Sequence, residues 1–528
     1  MSRWLVIGLV LLAAGAAVLR LPQLGRRPMH TDESVHTLKF RDLLQDGQYR
    51  YDPDEFHGPS LYYFTLPVIR LLAGKDFAQS TESQYRLVPL AFGVGLILLL
   101  ALVTDGLGRK AILFSGFLTA ISPAMVFYSR YFIHELILVF FTFLFLASLW
   151  RYSHSRNIGW SLLAGIGLGM MHATKETWVM VAAAAGGAWI LNELWAVWKE
   201  GKTWQMPAGL NWRHGLAGLL VAIAVAIVLF TSFFTHADGP LDSIRTYGPW
   251  FRRAEGQTTH VHPWHYYFGL LAWFHRPKGP VFSEALILVC AVAGVFGTVF
   301  RPHPQLERAR FGRFLVFSTV LLALIYALIP YKTPWCLLGF YHGIILLAGV
   351  GLAFLWDWAR NGRAKAVFLV LFTLGSLHLL GQAYLAAYRY EADPKNPYVY
   401  AHTMSHIKRL VETVEKAAQV HPQKNGMLIK VMVPGSDYWP LPWYLRKLTH
   451  VEWWPGLPQD WEAPVIISSP KMDDVLDPKV HGLYVPAGLY PHRPRPPTFL
   501  QLYVKLDLWA EYLKAFPPQR DEDEESSQ

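Results

Sequence analysis

The sequence predicts a polytopic α-helical membrane protein with about eleven transmembrane helices and a small C-terminal α/β domain. Three observations carry that prediction. The 528 residues are 53% hydrophobic and only 16% charged, against roughly 25% charged in an ordinary soluble domain. The apolar residues gather into runs near the ~17–25 residues that a ~30 Å hydrocarbon core requires. Beyond residue 388 this pattern stops, and short β-like runs alternate with helical ones.

In order, the runs are 4–20, 86–103, 111–128, 135–150, 158–173, 177–195, 214–234, 280–300, 312–330, 335–356 and 366–387. The stretch 60–73 is short and contains Pro67, so it reads as an interfacial or re-entrant helix. With a cytoplasmic N-terminus, the cytoplasmic loops carry Arg109/Lys110, Arg151/Arg156, Lys199/Lys202/Arg213, Arg301/Arg308/Arg310/Arg313 and Arg360/Arg363/Lys365. All are basic, as the positive-inside rule asks. The other side receives a first loop 21–85, the turns 129–134, 174–176 and 331–334, a long loop 235–279, and everything after about 388. Residues 1–20 read as an uncleaved first span, with a cleaved signal peptide as the alternative.

The division that follows is a membrane domain 1–387, a soluble extracytoplasmic α/β domain 388–515 and an acidic disordered tail 516–528. In the second part MLIKVMV (427–433) and APVIISS (463–469) read as strands, and 402–420 reads as a helix. The net charge of +10 sits in loop clusters that orient spans, which argues against a nucleic-acid partner. Cys290 and Cys336, the only cysteines, lie in apolar runs, which argues against a disulfide framework. There is no N-x-S/T sequon, which fits a prokaryotic membrane.

The chemistry-bearing residues all fall on the non-cytoplasmic side. MHTDESVH (29–36) places Asp32 and Glu33 at the start of a short amphipathic helix, where the dipole favours anions. Plain N-capping accounts for such a pair on its own. Three further features shift the weight toward function. The loop continues YDPDEFHGPSLYY, adding His57 before a Gly-Pro break. YSRYFIHELILVF sets Arg130, His134 and Glu135 at the mouth of a span, where a carboxylate opening an uncharged run is a functional candidate. MHATKETWVM brings Lys175 and Glu176 to the next turn on that side, with snorkelling or a local ion pair as the bland alternative.

LIPYKTPWCLL holds Lys332 between two prolines, either anchoring the loop at headgroups or aimed at a phosphate. The long loop carries Arg252 and Arg253 as further substrate contacts. His260, His262 and His265 lack the partners of a recognised metal site, so an aromatic belt is the better reading of that stretch.

Together HTDESVH, FHGPSLYY, SRYFIHE, PYKTPW and DYWPLPWYLR resemble the C-type (GT-C) membrane glycosyltransferases. That superfamily includes the protein O-mannosyltransferases (family-39-like), lipid A aminoarabinose transferases and oligosaccharyltransferase catalytic subunits. More narrowly, these motifs resemble a prokaryotic branch associated with lipid-linked-sugar flipping.

The resemblance implies a sugar donor on a polyprenyl phosphate, a glycan, lipid or protein acceptor, and a multi-pass inner membrane with the C-terminal domain extracytoplasmic. It implies Asp32 as the acceptor's base, Glu33 as the other half of its motif and Glu135 as an assisting acid. Arg130, Lys332 and Lys175 would face the donor phosphate; His57, His134, Arg252 and Arg253 would contact substrate. Relatives that use a divalent cation carry two Asp where this chain has His134–Glu135, so no cofactor is assigned and a cation stays open. Direct displacement predicts inversion at the anomeric carbon. A transporter, flippase or accessory subunit for lipid-linked sugars is the competing reading; charges confined to one face argue against a transport path.

Overall fold

Each apolar run folds as helix, because backbone amides in hydrocarbon have only each other to bond. The computed structural model describes residues 2–55, 57–201, 211–254, 260–301, 305–494 and 497–517. Lys202 and most of the acidic tail lie outside the described residues. The helices are α1 (Arg3–Arg20), α2 (Thr31–Gln45), α3 (Ser60–Leu72), α4 (Glu82–Leu99), α5 (Arg109–Ile121), α6 (Pro123–Tyr128) and α7 (Glu135–Ser155). Next come α8 (Ile158–His172), α9 (Trp178–Glu200), α10 (Trp212–Phe230), α11 (Gly239–Arg245), α12 (Tyr247–Ala254), α13 (Tyr266–Ala272) and α14 (Ala285–Val299). The last of the apolar set are α15 (Leu306–Leu328), α16 (Leu338–Trp358) and α17 (Gly362–Tyr384).

Among the described residues, eight helices are long and apolar enough to cross a membrane. They are α1, α4 extended to Leu107, α7, α9, α10, α15, α16 with the turn from Pro334, and α17 extended to Arg389. The remaining three expected runs are helical but shorter than drawn. Helices α8 and α14 have 15 residues each, about 22 Å at 1.5 Å per residue. Small residues seat both against longer neighbours. A Cβ on Gly165 of α8 would lie 2.1 Å from the Gly218 carbonyl of α10, and one on Gly294 of α14 only 1.9 Å from that of Leu347 in α16.

The run 111–128 breaks into α5 and α6 at Ser122–Pro123. Proline has no N–H for the Thr119 carbonyl, and the freed groups find buried partners. Arg20 donates to Thr119 O (2.9 Å) and Ala120 O (2.7 Å). Glu284 accepts from the Ala124 amide (2.9 Å) and the Ser122 hydroxyl (2.7 Å), and also from Tyr341 and Tyr398. One arginine and one glutamate thus satisfy a helix break inside the bundle.

The chain divides into two compact units. One comprises Met1–Gly25, Lys39–Glu391 and Lys395–Tyr400; the other Arg26–Leu38, Ala392–Pro394 and Ala401–Gln528. Within the first, the basic loops meet one another at one end: Arg151 pairs with Asp105 (2.7 Å), Lys110 with Asp357 and His154 with Glu307 (3.0 Å).

The second unit is built on a five-stranded sheet ordered β2-β1-β3-β5-β4. Strands β1 (Ile429–Met432), β2 (Val451–Trp454) and β3 (Val465–Ser468) are parallel. Strand β5 (Pro497–Lys505) runs antiparallel to β3 and pairs with β4 (Tyr484–Pro494). Helix α18 (His406–Val420) buries Ile407, Leu410, Val411 and Val414 along one face and packs on β4. Residues 26–38 of the first loop belong to this unit: the Met29 amide donates to the Tyr444 hydroxyl at 2.9 Å, and the His30 and His402 rings lie 4.8 Å apart.

Candidate functional site

Three sequence motifs meet at the start of α7. The Gly58 amide donates to Thr174 O (3.1 Å) and the Ser60 amide to Ala173 O (2.9 Å), joining residues 58–60 to the turn between α8 and α9. The approach is so close that a Cβ on Gly58 would sit 2.3 Å from the Ala173 oxygen. His134 closes the third side, with Nε2 3.0 Å from the Gly58 carbonyl.

Into this junction project two carboxylates and two basic groups. Lys175 donates to Glu135 in a short ion pair, each side chain 7% exposed. Burial opposes the ammonium, but the Glu135 carboxylate beside it outweighs that and holds the Lys175 pKa above its ordinary value. Glu176 Oε2 lies 2.7 Å from His57 Nδ1. Burial alone would raise the Glu176 carboxyl; His57 reverses the balance and keeps it below the usual range, hence ionised. The Tyr51 hydroxyl also faces Glu176, at 3.5 Å, and the His57 and His134 rings lie 5.4 Å apart.

The remaining cations hold backbone. Arg130, expected at the donor phosphate, gives its Nη1 to the carbonyls of Arg20 (2.6 Å) and Pro22 (2.7 Å) and its Nη2 to Gln23 O (3.1 Å). It caps the C-terminus of α1, and its guanidinium lies over the Tyr388 ring at 4.5 Å. Lys332 is buried in its turn, where Nζ donates to His262 O (3.1 Å) and to Ile329 O. Its own amide donates to His260 O at 2.9 Å, so the long loop and this turn form a small antiparallel bridge. Four residues on, Cys336 lies within electrostatic range of the Lys175–Glu135 pair. His260 and His262 both contact the Tyr400 hydroxyl, at 2.6 and 3.3 Å. Among the described residues no three His, Cys, Asp or Glu side chains group to hold a metal ion. Arg252 is exposed on α12, and the side chain of Arg253 lies outside the described residues.

Asp32 and Glu33 separate into different roles within the second unit. Glu33, at the third position of α2, is fully buried; it accepts from the His30 amide (3.0 Å) and pairs with Arg27 (3.3 Å). That is the returning half of a capping box. His30 Nδ1 accepts from the Asp32 amide at 3.0 Å and supplies the other cap. Asp32 is thereby relieved of capping, and its side chain remains 41% exposed, 3.6 Å from His30 Nδ1. The pair of carboxylates reads alike in sequence, and only burial distinguishes them.

An apolar cleft of about 630 Å³ runs between α7, α8, α9 and α15. Its lining extends along α9 from Trp178, two residues past Glu176, to Glu193, where Arg310 closes the far end. Fifteen helical steps make that about 22 Å. Sequence reasoning missed Glu284; its signal is a lone carboxylate at the start of the apolar run ALILVCAVAG.

Residues 61–237 match the family described as dolichyl-phosphate-mannose-protein mannosyltransferase. ArnT of Cupriavidus metallidurans in its apo state superposes with a TM-score of 0.62 at 14% identity, covering 93% of this chain and 97% of that one. The fold is that of the C-type membrane glycosyltransferases. The GT-C likeness extends to the same ArnT bound to undecaprenyl phosphate (TM-score 0.58, 15% identity, 93% and 97% coverage). It also extends to the archaeal oligosaccharyltransferase AglB of Archaeoglobus fulgidus with an inhibitory peptide and a dolichol-phosphate (TM-score 0.52, 13% identity, 93% and 74% coverage). No curated protein matches by sequence. The matched segment contains Arg130, His134, Glu135, Lys175 and Glu176; Asp32 and Lys332 lie outside it.

Proposed function

We propose that the chain is a glycosyltransferase that moves a sugar from a polyprenyl-phosphate donor to an acceptor hydroxyl on the extracytoplasmic face of a prokaryotic inner membrane. The observation that carries this reading is the buried Lys175–Glu135 pair, with Trp178, three residues after Lys175 in the chain, lining an apolar cleft. A lipid phosphate needs both features: a fixed cation for the charge and a dry groove for the prenyl chain. The solved relatives with undecaprenyl phosphate and dolichol-phosphate support that class of donor.

In this reading Asp32 is the general base that takes the acceptor proton while the phosphate leaves from the anomeric carbon, with inversion. Its exposure and its freedom from capping support the role. Lys175 shifts part of its hydrogen bonding from Glu135 to the departing phosphate, and Glu135 holds the ammonium in place. Arg130, Glu33 and Lys332 act as positioning residues through the backbone or the ion pairs they hold. His57 and His134 line the same junction and orient the substrate; Arg252 and Arg253 extend that contact along the long loop. The N-terminus is cytoplasmic and the sheet unit extracytoplasmic.

The test is reconstitution of the full chain in proteoliposomes with radiolabelled polyprenyl-phosphate sugars and a membrane glycan fraction. Label appearing on the acceptor supports the proposal. Protein-dependent scrambling of the lipid without any transfer sinks it in favour of the transporter reading.

A further inference from the structure

The end of the helical unit where the basic loops gather is not only an orientation signal. Two clefts open on either side of the turn at Gly108. One, of about 750 Å³, carries Arg109, Lys110, Arg151 and Arg308 beside an apolar wall that includes Leu5 and Trp160. The other, of about 300 Å³, shares Arg109, Lys110 and Arg308 and adds Arg301.

Two carboxylates answer these charges. Asp105 accepts from Arg151 at 2.7 Å and from the Trp150 indole at 3.0 Å, and Asp357 pairs with Lys110. Of the five cations, Arg151 and Lys110 are thus each paired with an acid. Arg308 turns its Nε to the backbone oxygen of Asp105 at 2.7 Å. Arg109 and Arg301 are exposed and have no hydrogen bond or ion pair among the described residues. This contrasts with Lys175, Arg130 and Lys332, each of which donates to a protein group.

Depth in the membrane narrows the choice of ligand. The linings include Leu107, where one span ends, Arg151 in the last turns of α7, and Asp357, one residue before the end of α16 at Trp358. Span ends lie at the level of lipid headgroups. Basic pockets between spans, at that depth, attract anionic lipids. A free phosphate or a soluble nucleotide would use the cations and leave Leu5 and Trp160 without a partner. A diacyl lipid uses both, phosphate at the mouth and glycerol with upper acyl chain along the wall.

We propose that the paired clefts around Gly108 bind the phosphodiester headgroup of an anionic membrane phospholipid, at the far end of α7 from Glu135. The site is separate from the transfer chemistry and does not depend on it.

The test uses the full chain in a neutral detergent, with lipid binding read by native mass spectrometry and thermal shift. Probes are phosphatidylglycerol, cardiolipin, phosphatidylcholine and inorganic phosphate. The variant is Arg109→Gln/Arg301→Gln, two exposed changes whose folding is checked by the unliganded melting temperature. Arg360→Gln/Arg363→Gln serves as the charge-matched control, since neither residue lines a cleft. The expected result is a roughly tenfold or greater loss of phosphatidylglycerol or cardiolipin binding in the first variant only. Phosphatidylcholine is expected to bind weakly and equally throughout. Equal loss in both variants means that net charge alone attracts the lipid and overturns the proposal. Binding of inorganic phosphate as tight as that of the lipid overturns it too, since the apolar wall then contributes nothing.

Discussion

Replacing Lys175 by Met leaves the Glu135 carboxylate buried at the mouth of α7 with no countercharge. Both side chains are 7% exposed, so solvent screens little of the interaction. Removing one member of such a pair costs about 3–5 kcal/mol, because the remaining charge must be neutralised or rehydrated. The double variant Lys175→Met/Glu135→Gln removes both charges and is expected to recover most of that loss. Transfer behaves differently if Lys175 also meets the leaving phosphate: loss of one preorganised donor slows the reaction by about 10²–10³. The double variant is then close to wild type in stability and still inactive. Thermal melting followed by tryptophan fluorescence gives the first quantity, and single-turnover transfer below all the melting temperatures gives the second. A stable double variant that transfers sugar at the wild-type rate refutes the phosphate role and leaves the pair as architecture. A Lys175→Met protein that melts with wild type refutes the burial argument itself.

Three further outcomes are expected. Glu33→Ala strips the cap from α2 and removes the carboxylate that pairs with buried Arg27, so it should cost about 1–3 kcal/mol in stability; at a permissive temperature its transfer rate should fall far less than that of Asp32→Asn, and a comparable loss would contradict the division of roles. The Glu176 carboxyl has its folded pKa depressed below the ordinary 4.5, so its stabilisation is complete above that value and is lost as pH falls through the folded pKa. Acid melting curves of wild type should therefore fall more steeply below 4.5 than those of Glu176→Gln, and parallel curves would refute the linkage. Gly58→Ala forces a Cβ to within 2.3 Å of the Ala173 oxygen; the backbone must part there, and stability and transfer should drop together. Limited proteolysis and the transfer assay check this, and an unaffected variant would show that FHGPS and the α8–α9 turn are not held as described.

Much of the architecture was legible because hydrophobic run length is a strong signal. All eleven runs are helical, and the small C-terminal α/β part appears as a sheet with β1 and β3 inside MLIKVMV and APVIISS. What run length does not register is how a helix ends. Pro123 breaks 111–128, yet the sequence gives no hint that Arg20 and Glu284 would satisfy the exposed carbonyls and amide. Glycines such as Gly165 and Gly294 let short helices sit against long ones, and neither alters hydropathy. At the site, the motif residues His57, His134, Glu135 and Lys175 do meet in one junction. The roles of individual charges depended on partners far along the chain. Arg130 is taken by carbonyls of residues 20–23, more than a hundred positions away, and Glu33 by Arg27 and the His30 amide. Spacing alone cannot separate those from an Asp32 that stays exposed.

The most direct test of the central claim is single-turnover transfer from a labelled polyprenyl-phosphate sugar by wild type and Asp32→Asn, with donor binding measured separately. The account predicts unchanged folding, near-normal donor binding and a loss of transfer of about 10²–10⁴, the range for a positioned general base. Transfer by Asp32→Asn at the wild-type rate would contradict it.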